Sequence, residues 1–282
     1  MPFRDILLTA LTYPDATPDR ALRSGVALAR RFGGDLTLLV PRIDIPQVGN
    51  PLARALMDFD RIASLETARS AATASLEATC AAIAAEESGV ALRTETLSVA
   101  LYDEAEAICR VARTRDLALT PIGPEVAADR SLAEALLFGS GRPILVYPEA
   151  AEVAPADGFR HVAVAWDGSA RAARATADAL PALARADRVS IFAALGEKTE
   201  VVAGGAAPLV RHLARHGIEA VVDERGGEGR TIGRRLGDFV ADAAPDLLVM
   251  GGFGHARLRQ FVLGGATAAV LEAPPCPVLM SH

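Results

Sequence analysis

Phe3-Arg4-Asp5-Ile6-Leu7-Leu8-Thr9-Ala10 is echoed by Phe159-Arg160-His161-Val162-Ala163-Val164-Ala165-Trp166. No other feature constrains the fold as much, because the echo divides a 282-residue chain into two copies of one plan, each of ordinary domain size. Each copy opens with a short apolar run suited to a buried strand. A helix is expected next, at 17–31 and at 169–184. Thr17-Pro18 reads as an N-cap followed by proline at the first helical position, and Ser169 as the second cap. Second strands are expected at 36–40 and 189–193, and third strands at 90–99 and 218–223. Third helices follow at 103–114 and 229–243, fourth strands at 116–119 and 246–250, and fifth strands at 143–147 and 277–280.

Strands alternating with helices make this an α/β chain of two tandem doubly wound domains, each a parallel sheet with helices on both faces. The first domain is expected over 1–148 and the second over 159–282. Residues 149–158, rich in alanine, glutamate and proline, read as a semi-extended linker. In the first copy, Pro41, Pro46 and Pro51 mark a loop, and 52–87 reads as a long helix. Its Ile62, Leu65, Ala72, Leu76, Cys80 and Ile83 keep helical spacing and suit core or interface packing.

Composition removes several kinds of chemistry. The net charge is −6 with no basic cluster, which argues against a nucleic-acid groove. Of 29 basic residues only Lys198 is lysine, so there is no P-loop lysine and no kinase-type Val-Ala-Ile-Lys. Cys80, Cys109 and Cys276 lie far apart and read as buried small hydrophobes rather than a zinc or disulfide framework. His212 and His216 have metal-chelating spacing on a helix, but no glutamate completes His-Glu-x-x-His, so no metal site is expected. No apolar run reaches the roughly 18–20 residues of a membrane span. The N-terminus lacks a signal peptide's basic start, and the expected location is cytoplasmic.

The candidate site lies near the end of the chain. Gly251, Gly254 and Gly264 are spaced G-x2-G-x9-G, a weak pattern by itself. Its placement strengthens it. The first pair follows a parallel strand, where open α/β sheets bind ligands. Gly264-Gly265 precedes a short helix expected at 266–272, whose free N–H groups favour anions. Two ordinary turns would leave the same trace. Asp167, just past the first strand of the second copy, could reach an adenine amino group, a ribose or a metal, or could simply cap the next helix.

At these residues the chain resembles the universal stress protein family. The resemblance is carried by 162–169, by 246–254, by the glycine spacing and by the ending Pro274-Pro275-Cys276-Pro277-Val278-Leu279-Met280. It implies a five-stranded parallel sheet in the order 3-2-1-4-5 in each domain, and ATP or a related adenine nucleotide bound in the second, with Mg2+ or Mn2+ accompanying the phosphates. Ala165 and Asp167 would lie near the adenosine, and Ala194 would offer its backbone to the adenine. Gly251 and Gly254 would follow the ribose and phosphates, and Gly264 and Gly265 would cradle the phosphates. The family's Ser or Thr after the third glycine is Gly265 here. Thr267 could replace that hydroxyl, and His255 or Arg257 could add charge.

The first copy departs further, with Leu11 in place of Asp167 and Thr120-Pro121-Ile122-Gly123-Pro124 after its fourth strand, so it is expected to have lost the nucleotide. Family members pair their last strands as dimers. Here Ile144 to Tyr147 and Val278 to Met280 could pair within one chain as an intramolecular pseudo-dimer, and whole chains could associate as a homodimer. The implied function is a cytosolic stress-response sensor or regulator, at most a slow ATP hydrolase. The alternative is a non-nucleotide dimerisation or interaction protein of the same fold. An adenylyl-transferring or sulfur-transferring enzyme is disfavoured by the absence of its motifs.

Overall fold

A computed structural model describes residues 3–11, 16–44, 59–86, 90–100, 103–124, 127–154, 156–195, 204–226, 229–252, 254–255, 262–263 and 265–282. The first half runs β1 (Asp5–Thr9), α1 (Asp19–Phe32), β2 (Asp35–Asp44), α2 (Phe59–Glu86), β3 (Leu92–Ala100), α3 (Glu104–Ala112), β4 (Leu117–Ile122), α4 (Ala127–Gly139) and β5 (Ile144–Pro148). The second runs β6 (His161–Ala165), α5 (Ala170–Leu183), β7 (Arg188–Ala194), α6 (Ala207–Arg215), β8 (Ala220–Arg225), α7 (Ile232–Ala243), β9 (Leu247–Gly251), β10 (Gly254–His255), β11 (Val262–Leu263), α8 (Gly265–Glu272) and β12 (Val278–Ser281).

Ten strands share one sheet in the order β3-β2-β1-β4-β5-β12-β9-β6-β7-β8. This is the expected 3-2-1-4-5 order, run once and then reversed. In this sheet the ladders within each half are parallel, whereas β5 and β12 pair antiparallel, with Val278 opposite Val146, Leu279 opposite Leu145 and Met280 opposite Ile144. Two apolar edges that would otherwise expose unpaired N–H and C=O groups cover one another.

The inner strands read as apolar runs because both their faces are buried, whereas the edge strands β3 and β8 carry polar, exposed residues. Ile6 and Leu8 join Val162 and Val164 in a core under α1, α2, α5 and α6, while Leu7 joins Ala163 and Ile144 in a core under α3, α4, α7 and α8. Both cores contain residues of both halves. In α2, Leu76, Cys80 and Ile83 are buried as the spacing suggested; the side chains of Ile62, Leu65 and Ala72 lie outside the described residues.

Two local expectations change, the cap of α1 and the bounds of β8, while the long helix is seen only where it is described. Pro18, not Thr17, holds the N-cap position of α1, because Thr17 Oγ1 turns back to accept from Leu11 N at 3.0 Å. The helix expected over 52–87 is described from Phe59, and 51–58 lie outside the described residues. The third strand of the second half, β8, starts at Ala220 and runs to Arg225. Ser169 does cap α5, accepting from Ala172 N at 3.1 Å.

The segment between the halves is held along α1. Ser24 Oγ donates to the Ala151 carbonyl, Arg31 donates to the Ala154 carbonyl at 3.0 Å, and Arg20 pairs with Glu149 at 2.8 Å. Arg31 also crosses to Asp246 at 3.1 Å, where the same carboxylate accepts from the backbone N–H groups of Arg160 and His161.

Candidate functional site

In the second half β6 lies between β9 and β7. Ala165 faces Phe192 on one side and Met250 on the other, so the carboxyl ends of three strands meet at one edge. That edge brings Ala165, Asp167, Ala194 and Gly251 together, at the switch in strand order where this fold class binds ligands. Asp167 is exposed, and its Oδ1 accepts from Ser169 N at 2.9 Å across Gly168, whose φ is +77°. It therefore shapes the turn into α5 while remaining open to solvent.

The motif's glycines sit in different surroundings. A Cβ built on Gly251 would lie 2.6 Å from Ala172 N and 2.7 Å from the Arg171 carbonyl carbon, so glycine is required by the close approach of β9 to the first turn of α5. A Cβ on Gly252 would lie 2.7 Å from Leu137 of α4, in the other half of the chain. Gly252 N donates to the Ser281 carbonyl at 2.7 Å. Gly254 and His255 then pair antiparallel with Leu263 and Val262, respectively. This ladder folds the nine-residue spacer back, setting Gly254 opposite Leu263, two residues before Gly265. Gly265 opens α8, is exposed, and would admit a Cβ with nothing within 4 Å among the described residues. Gly264, Phe253, Arg257 and Arg259 lie outside the described residues, as does the side chain of His255.

Two predicted contributors are less accessible. Thr267 is 1% exposed, facing the core from the first turn of α8. Ala194 is buried in β7 opposite Arg225. The next residue, Leu195, donates its N–H to the Arg225 carbonyl at 3.0 Å and accepts at its carbonyl from Arg235.

Arg235 is a residue the sequence did not disclose. It is 7% exposed, reaches from α7 to the carbonyls of Leu195 and Arg225, and ties the ends of β7 and β8 together. His282 is another. Its Nδ1 lies 3.1 Å from Arg171 Nε and 3.1 Å from the Gly252 carbonyl oxygen, and its ring meets Phe138 of α4 edge-on at 4.8 Å. Arginine is too common here to stand out, and no local pattern marks a lone histidine.

The equivalent region of the first half is built differently. Leu11 is buried. The N–H of Gly123, just past β4, donates to Asp129 Oδ2 at 3.1 Å, so the amide that would face an anion already holds a carboxylate. Burial pushes the Asp129 carboxyl up to about 6, against the lowering effect of the Gly123 N–H and with Glu149 raising it further. Burial likewise raises the Cys80 and Cys276 thiols to about 12; Cys80 and Cys109 are buried as expected, whereas Cys276 is half-buried against the core. His212 and His216 stack edge-on at 4.9 Å, and no cluster of three metal-ligating side chains occurs among the described residues. No helix among them is long and apolar enough to cross a membrane.

Residues 158–282 match the model of the Universal stress protein family. A universal stress protein from Archaeoglobus fulgidus DSM 4304 superposes with a TM-score of 0.67 at 14% identity, over 98% of this chain and 95% of its own. A proposed universal stress protein from Pseudomonas aeruginosa UCBPP-PA14 gives 0.57 at 17% identity, over 99% and 93%. A functionally unknown protein from Pseudomonas aeruginosa PAO1 gives 0.55 at 16% identity, over 99% and 92%. At these identities the likeness is one of fold. Among curated protein sequences none is a match.

Proposed function

Because residues 158–282 match the universal stress protein family model, and the whole chain shares its fold with a universal stress protein of similar length, we propose that the second half binds ATP or a related adenine nucleotide, as a stress-response sensor or regulator. One observation carries this reading. The β10–β11 ladder sets Gly254 opposite Leu263, so the start and end of the glycine motif lie together beside the C-terminal end of β9 and the N-terminus of α8. Exposed backbone N–H groups at such a helix start suit a polyanion, and open space at Gly265 leaves room for one.

In this reading Ala165, Asp167 and Ala194 flank the adenosine. Gly251 and Gly254 follow the ribose and phosphates, Gly264 and Gly265 cradle the phosphates, and His255 adds charge nearby. Mg2+ or Mn2+ would arrive with the phosphates and neutralise them. Turnover is at most slow hydrolysis. The first half, with its Gly123 amide given to Asp129, serves as a structural partner, and the joined sheet acts as an internal pseudo-dimer. A cytoplasmic setting goes with this role.

A second reading, an interaction protein of the same fold without nucleotide, draws on two observations: the Thr267 side chain is buried, and both backbone groups of Leu195 are already engaged. Thermal unfolding of the full chain with ATP and Mg2+ separates the readings. ATP at about a hundred times its dissociation constant should add about 2.7 kcal/mol of stability, and Gly254→Val should abolish the gain. No shift at millimolar ATP would leave the interaction protein standing.

A further inference from the structure

We propose that, whether or not the glycine motif holds a nucleotide, the edge of the second half carries a ligand site of its own: a cleft beside β8 in which Arg235 grips the carboxylate or phosphate group of a small anion. The cleft has a volume of about 410 Å³, within the range of about 300–1,000 Å³ usual for small-molecule sites. Its walls are Arg225 and Gly226 at the end of β8, Arg230 just before α7, and Arg235, Asp238 and Asp242 on α7. β8 is an edge strand, so the cleft opens at the rim of the sheet.

Arg235 points to the ligand. A guanidinium presents its N–H donors as a rigid fork and accepts nothing. Nη1 of Arg235 is engaged by the carbonyls of Leu195 and Arg225. Nε is buried without a hydrogen-bond partner, and among the described residues Nη2 makes no bond and the side chain no ion pair. Yet the residue is more than nine-tenths buried. Buried donors left unpaired are costly, and charged ones more so. Nε and Nη2 form one edge of the guanidinium, spaced to take two oxygens of a carboxylate or phosphate. Arg225 uses that same edge, its Nε and Nη2 holding the Asp223 carboxylate at 3.1 and 2.9 Å.

The other charges of the cleft are matched. Arg225 Nη1 also pairs with Asp242 at 2.7 Å, and Arg230 Nη1 with Asp238 at 2.8 Å. The lining therefore has one guanidinium more than it has carboxylates, and the surplus charge is that of Arg235. The bonds from Nη1 to two strand-end carbonyls fix the plane of the group, so a ligand meets a fork already set and little side-chain order is lost on binding. Asp238 and Asp242 offer acceptors nearby, which suits an anionic group followed by hydroxyl or amino donors. The corresponding cleft of the first half, between β3 and α3, is walled by Leu97, Val99, Ala107 and Val111, with Asp103 and Arg110 in balance. The surplus charge thus belongs to this sequence and not to the fold.

The test titrates the full chain with sodium phosphate and, separately, sodium acetate, at constant ionic strength. Nitrogen-15 spectra follow the Nε–H groups of Arg235 and Arg225, which report on this cleft, and the Gly254 amide, which reports on the glycine motif. In the native chain the Arg235 resonance should move saturably with millimolar anion. A response to phosphate alone marks a phosphoryl ligand, and a response to acetate a carboxylate. Arg235→Gln can still donate to a strand-end carbonyl but has neither fork nor charge. Read at Arg225, it should bind the anion roughly ten- to a hundredfold more weakly. Asp238→Asn frees Arg230 at the surface and should tighten binding about two- to fivefold; it decides the matter even if Arg235→Gln does not fold. No saturable shift at Arg235 with either anion, shifts confined to Gly254, undiminished binding in Arg235→Gln, or no gain in Asp238→Asn would each overturn the site.

Discussion

Replacing Gly251 by alanine, and Gly265 by alanine in parallel, divides the glycine motif into a part required by packing and a part that is not. The added methyl at 251 would lie 2.6 Å from Ala172 N, 2.7 Å from the Arg171 carbonyl carbon and 2.9 Å from Arg171 Cβ. Carbon atoms are comfortable at about 3.5–4.0 Å, so the first turn of α5 must retreat by about 1 Å. Two of the three obstructing atoms are backbone and cannot rotate aside. The turn is also anchored by the Ser169 cap and by the buried Ala172 and Ala175 behind it. Overpacking of this kind costs about 1–3 kcal/mol. At 265 the methyl meets nothing within 4 Å among the described residues. Alanine there starts a helix better than glycine, so the change should be neutral or stabilising by up to about 1 kcal/mol. Urea unfolding without nucleotide, followed by the fluorescence of Trp166, the one tryptophan, at the end of β6, reads both. If Gly251→Ala is as stable as the native chain, α5 yields and steric need does not explain the first glycine. A clear loss of stability for Gly265→Ala would refute the open space at that position.

Two further outcomes are expected. The folded state raises the Asp129 carboxyl to about 6, so it holds that proton more tightly than the unfolded chain, and stability falls as pH rises between about 4 and about 6. Asp129→Asn, which still accepts from Gly123 N, should flatten that slope and add on the order of 1 kcal/mol near neutral pH in melting curves; an unchanged slope would count against a buried carboxylate there. Gly265→Ser restores a hydroxyl at the start of α8 in space that is open for it. It should tighten ATP binding in calorimetry by about ten- to a hundredfold, and no gain would mean the phosphates do not reach this turn.

The fold was legible because its signals are local and repeated. Apolar runs bounded by Gly, Pro and Asp mark the strands, and the two copies corroborate each other, whereas the 3-2-1-4-5 order was expected from the family resemblance and not from these runs. What escaped the sequence depends on distance. Thr17 looks like a cap until Leu11, six residues earlier, offers its backbone. The β10–β11 ladder has two residues per strand, too few for any period to register. Gly251 was read for its ligand, whereas its tight constraint is the backbone of α5. Arg235 and His282 act on carbonyls 40 and 30 residues away in the chain. The closing of Gly123 by Asp129 likewise needed the turn into α4 to be seen.

The seam between β5 and β12 bears on whether the second half can exist alone. Ile144, Leu145, Val146, Val278, Leu279 and Met280 all have no exposed surface. Leu136 and Leu137 share a core with Val270, Leu271, Val278 and Met280. A chain of residues 159–282 would therefore expose both an unpaired strand edge and the apolar surface that α4 covers, the combination that drives edge-to-edge pairing. An antiparallel seam has the symmetry of a two-fold axis, so a second copy of β12 can take the place of β5. The isolated half should sediment as a dimer, and adding the separate first half should convert it to a mixed pair. A stable monomer of 159–282, with Gly252 protected as in the full chain, would show that the seam and Leu137 are dispensable and that the glycine loop does not depend on the first half.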